Sequence, residues 1–136
     1  MSDFLVVELI SKDIIHFYDK DQIKKGNCYS NIFCISSEIY SQYRIVNFDN
    51  AYVLCYVDGV PHCILKYKGI YYDPTLQVHD CIKDRKYVLV KEFNYIELHQ
   101  YIKEHDGIGW EDGEKYYVPP RLTVKGEITC TECSKP

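Results

Sequence analysis

The sequence predicts an α+β domain, and three features predict it. A polar stretch ending at Gly26-Asn27 opens onto an apolar run with helical spacing, Cys28 to Tyr43. Two turn signals, Asp58-Gly59 and Lys68-Gly69, separate runs rich in β-branched and aromatic residues. A second helical run, Asn94 to His105, then interrupts the strands.

Each element has a local reason. Residues 4–18 carry both strand and helix signals and fix neither. In the first helix Asn27 is a good N-cap, and Ile32, Phe33, Ile35, Ile39, Tyr40 and Tyr43 supply the apolar stripe. Ala51 to Val57 is a β-rich run, and Val60 to Tyr67 is its return strand. Ile70 to Asp73 is a third strand, ended by Pro74, which cannot donate to a ladder. Lys86 to Val90 is a further strand. In the second helix Ile96, Leu98 and Ile102 point inward and Gly107 lies just past the end. After a glycine-rich loop, strands are expected near Tyr116–Val118 and Leu122–Ile128. The order is a helix followed by an antiparallel meander.

Composition narrows the function. The 136 residues fit one domain, and an apolar fraction of 46% is that of a folded chain. Fourteen tyrosines suit half-buried sheet surfaces. A formal charge of -4 argues against nucleic acid as partner. No apolar run approaches the ~18 residues that span a bilayer, which argues against a membrane partner. The start, Met1-Ser-Asp-Phe-Leu, lacks a basic region and a cleavage site, so a cytoplasmic location is expected, in host cytoplasm for a viral chain. There the seven cysteines stay reduced, and most act as small buried hydrophobes. The oligomeric state is left open.

Cys28 is the cysteine in a different setting. A thiol at a helix start feels the positive end of the dipole, which favours the nucleophilic thiolate. Gly26 lets chain and substrate approach closely. The turn arithmetic supplies a base. With Lys68-Gly69 as a two-residue turn, Ile64 opposes Asp73, and alternation puts His62 on the face of Ile64. His62 and Asp73 are then diagonal neighbours, within reach of one another. A carboxylate on one ring nitrogen fixes the tautomer and leaves the other to take a thiol proton.

Gly26-Asn-Cys-Tyr-Ser-Asn31 with His62-Cys-Ile-Leu-Lys-Tyr-Lys-Gly-Ile-Tyr-Tyr-Asp-Pro-Thr75 resembles the papain-like cysteine enzymes, above all their transglutaminase-like and small bacterial or phage peptidase branches. The resemblance covers about residues 22–76. It implies a single papain-like cysteine hydrolase domain over 1–136, with an N-terminal helix carrying the Cys packed on an antiparallel sheet. It also implies Cys28, His62 and Asp73 as a catalytic triad acting on a protein or peptide amide through a thioester, with no cofactor. The Cys28 N–H and Gln22, six residues upstream, are the implied oxyanion donors. Asn27 and Tyr29 are candidates for substrate contact, and Asn27, Tyr29 and Asn31 are lesser oxyanion candidates. Many transglutaminase-like members carry Trp where this chain has Tyr29 and Ile64, so the acyl acceptor, water or amine, is left open. Other readings are a transglutaminase-like acyltransferase and a non-catalytic binding module or inhibitor on the same fold.

Two rivals come from other cysteines. With Asp58-Gly59 as the turn, Cys55 sits opposite His62, but in mid-strand and away from any helix terminus. Cys130-Thr-Glu-Cys133 has the spacing of a zinc knuckle, and His79-Asp-Cys81 offers two further ligands. A lone pair near the end of the sequence is weak evidence for metal, and none is expected.

Overall fold

The computed structural model describes residues 4–11, 14, 23–44 and 47–130, save the side chain of His79. It is a mixed α+β fold. A five-stranded sheet has the order β1-β4-β3-β2-β5, with β1 Val7–Glu8, β2 Ala51–Val57, β3 Val60–Tyr67, β4 Ile70–Tyr72 and β5 Tyr87–Phe93. All pairings are antiparallel except β1 with β4. Helix α1 spans Cys28–Tyr43, α2 Pro74–His79 and α3 Tyr95–Glu104. Two small ribbons follow, β6 Ile108–Glu111 with β7 Glu114–Tyr117, and β8 Arg121–Leu122 with β9 Ile128–Thr129. Among the described residues no helix is long and apolar enough to cross a membrane.

The sheet separates two apolar clusters because its strands alternate. One holds Tyr52, Leu54, Cys63, Leu65 and Phe93 against Ile32, Ile35 and Ile39 of α1 and Leu98 and Ile102 of α3. The other holds Val53, Cys55, Val57, Ile64 and Tyr87, with Leu5 and Val7 packed over them. Leu5 donates its N–H to Tyr87 O at 2.8 Å, while Val7 and Glu8 pair with β4. This one segment therefore touches both edges of the sheet. A stacked pair, Tyr40 on Tyr95 with ring centroids 3.9 Å apart, joins the two longer helices.

Both turns form as the dipeptides require. Asp58 and Gly59 have φ of 50° and 83°, Lys68 and Gly69 of 50° and 82°. Cys55 opposes His62, and Leu65 opposes Tyr72, the registers the turn lengths imply. Asn94 caps α3 with a capping box through Glu97.

Several expectations change. Ile96 is exposed, and the buried residues of α3 are Leu98 and Ile102. Asn27 occupies the N-cap position of α1, but its side chain makes no capping bond. The third strand stops at Tyr72, because Asp73 caps a helix with Pro74 in its first turn, where a missing N–H costs nothing. The strand after Lys86 runs on to Phe93. The glycine-rich loop and the strand near Tyr116 form one hairpin, turning at Asp112-Gly113 with both φ positive. The Leu122–Ile128 strand is instead two short strands, broken at Gly126, where φ is +86°.

The site's register rests on the β3–β4 turn. Gly69→Ala places a side chain at positive φ, and we expect it to lower unfolding free energy by roughly 1–2 kcal/mol. A urea midpoint equal to wild type would contradict this.

Candidate active site

A helix start and one β-hairpin bring Cys28, His62 and Asp73 together. Cys28 is the first residue of α1, His62 lies in β3, and Asp73 follows the last residue of β4. Cys28 is 8% exposed, His62 9% and Asp73 0%. His62 Nε2 lies 2.9 Å from Asp73 Oδ2, the diagonal contact expected across the hairpin. That leaves Nδ1 as the ring nitrogen not engaged by Asp73, and Cys28 lies near enough to His62 to help raise its pKa.

A buried carboxylate needs donors on all sides, and Asp73 has them. Oδ2 accepts from His62 and from the Tyr87 hydroxyl at 2.7 Å. Oδ1 accepts the Leu76 N–H at 3.1 Å, the capping bond of α2. The electrostatic result is clear at His62. Burial lowers its pKa, but hydrogen bonding to Asp73 and Cys28 and their charges outweigh burial and raise it from 6.5 to about 9.

Asn31 holds the loop before Cys28 to the segment after Asp73. Its Nδ2 donates to Lys24 O at 2.9 Å and to Thr75 Oγ1 at 3.1 Å, and its Oδ1 accepts the Lys24 N–H at 3.3 Å. Both amide hydrogens are thus engaged, so Asn31 has none left for an oxyanion, and its part is to join the two motif segments. Tyr29 is also engaged: its hydroxyl lies 3.3 Å from both Leu122 O and Leu122 N, and Arg121 sits over its ring. It fastens the β8–β9 ribbon to α1, which leaves its hydroxyl little freedom for substrate. Asn27 and Gly26 are exposed beside Cys28, and open space surrounds the Gly26 Cα. As the first residue of α1, Cys28 has a backbone N–H without an intrahelical acceptor. Gln22 lies outside the described residues.

The rival cysteines are placed differently. Cys55 faces His62 across the ladder but is wholly buried, and burial pushes its pKa far up. Cys130 is buried against Gly107, with its pKa pushed up to about 11 by burial. Cys133 and the His79 side chain lie outside the described residues. Among the described residues no group of three His, Cys, Asp or Glu side chains could hold a metal ion.

Tyr87 is the member that sequence reasoning missed. It reaches Asp73 from β5, and no short turn links β5 to the β3–β4 hairpin. The β2–β5 register shifts at a bulge between Leu54 and Cys55, so counting from either end fails. Comparison with protein-family models, curated proteins and solved structures returns no match to this chain.

The His62 value sets a pH signature on stability. Its folded pKa stands above the unfolded value of 6.5, so its stabilising effect is complete below pH ~6.5 and is lost as pH rises through about 9. We expect wild-type unfolding free energy to fall across that window, by on the order of 3 kcal/mol. Asp73→Asn keeps a capping oxygen but removes the charge, and should flatten the fall. Parallel pH profiles for the two proteins would contradict it.

Proposed function

We propose that this chain is a papain-like cysteine hydrolase that cleaves an amide bond, as a peptidase or deamidase, through a thioester. The observation that carries the reading is the buried His62–Asp73 pair facing the thiol at the start of α1. At neutral pH a His62 pKa near 9 means that the ring carries a proton, the one an amine leaving group needs.

The steps follow from the donors present. Cys28 Sγ attacks the amide carbon and forms the C–S bond, pushing charge onto the carbonyl oxygen. The free N–H of Cys28 donates to that oxygen. His62 Nδ1 gives its proton to the leaving nitrogen as the C–N bond breaks. Water then attacks the thioester while His62 takes one of its protons. The acid departs and the sulfur–imidazolium pair is restored. Asp73 keeps the ring oriented and steadies its charge throughout. Substrate approaches over the exposed Gly26-Asn27 loop.

The test is turnover on a peptide and glutamine-amide library. Cys28→Ala should abolish release of ammonia or amine while keeping the wild-type circular dichroism, since it removes one sulfur and leaves Ile32, Ile35 and Ile39 to seat α1. The rate should fall as pH passes about 9 and the imidazolium loses its proton. Full turnover by Cys28→Ala would sink the reading, and transfer of the acyl group to added amine in preference to water would make the chain a transferase.

A further inference from the structure

Asp73 Oδ2 serves two donors at once, His62 Nε2 at 2.9 Å and the Tyr87 hydroxyl at 2.7 Å. We propose that Tyr87 is a positioning residue of this site, one that shares Asp73 Oδ2 with His62 and so limits how firmly the ring holds the proton it must give away. The inference rests on the hydrolase reading for its catalytic meaning, and on geometry alone for the coupling.

Tyr87 sits where only a donor role is open to it. It is buried at the start of β5, in a cluster of Ala51, Val53, Cys55, Val57 and Ile64. Burial and the neighbouring Asp73 charge push its pKa above the ordinary tyrosine range, so the phenol keeps its proton and donates. Among the described residues the titratable thiols that act on this array are Cys28 from α1, Cys55 from β2 and Cys63 from β3. The nearby cation, Arg85, is engaged with Asp58 and Asp80 at the surface.

A carboxylate oxygen that accepts two hydrogen bonds concentrates less charge on either donor. With Tyr87 present, Asp73 steadies the imidazolium but does not lock its proton in place. Without the hydroxyl, Oδ2 would turn wholly to His62. The carboxylate would stay in place, because Oδ1 is held independently by the Leu76 N–H. The ring would become a weaker acid, and protonation of an amine leaving group would slow. Steps that need no such proton would not.

The experiment compares Tyr87→Phe with wild type by two readouts. The first is the titration of His62 by NMR of the 15N-labelled imidazole, in a Cys28→Ala background so that no thiol titrates with it. The His62 pKa should rise by about half a unit to one unit. The second sets amide turnover against alkylation of Cys28 by iodoacetamide at pH 7. Turnover should fall about tenfold while alkylation stays within about twofold, since alkylation protonates no leaving group. Should Tyr87→Phe not fold, 3-fluorotyrosine placed at position 87, a stronger donor, should lower the His62 pKa instead. A His62 pKa that stays put or moves the other way overturns the inference, whatever the turnover. Absence of wild-type turnover overturns the hydrolase reading, and the titration alone then decides the coupling.

Discussion

The burial of one carboxylate constrains the rest of this molecule. Asp73 is shut off from water, and a charge there is tolerable only when each oxygen is met by a donor. The donors come from β3, from β5 and from the first turn of α2. Meeting them fixes where β4 must stop, how β5 must slide past β2, and which ring nitrogen of His62 is left free. Removing one partner of such a pair costs on the order of 3–5 kcal/mol, so the site and the fold are under the same constraint.

The helix layer supplies what the sheet cannot. Cys28 is brought to His62 because Ile32, Ile35 and Ile39 seat α1 on the sheet and Asn31 pins the preceding loop to Thr75. Asn31 thereby connects the segment that leads into Cys28 to the Asp73-Pro74-Thr75 segment. The same packing separates the cysteines by environment. Burial raises the pKa values of Cys55, Cys63 and Cys130. Cys28, at the start of α1, acts on a histidine that holds a proton at neutral pH.

What was legible in the sequence was whatever a local rule could count. Asp58-Gly59 and Lys68-Gly69 fix two registers by turn length, and from those the His62–Asp73 contact follows. The apolar spacing from Cys28 to Tyr43 gives α1 its bounds, and Asn94 with Glu97 gives the start of α3. Tyr87 was illegible because its register to β2 is set by tertiary packing and a bulge, with no turn between them. The roles of Asn31 and Tyr29 depend on partners 44 and 93 residues away, Thr75 and Leu122, which no periodicity signals. Helix α2 was hidden because Asp73-Pro74 reads equally well as a strand end and as an N-cap followed by Pro.

The central claim is that Cys28, His62 and Asp73 form one charge-coupled nucleophile, and site-resolved alkylation tests it most directly. The wild-type protein is exposed to limiting iodoacetamide between pH 6 and 9, and each cysteine's labelling rate is read by peptide mass spectrometry. The account predicts that at pH 6 Cys28, though mostly buried, labels at least tenfold faster than the exposed Cys34 and Cys81, and that His62→Ala removes the advantage. A Cys28 that labels more slowly than those two at every pH, or at the same rate with and without His62, would contradict it.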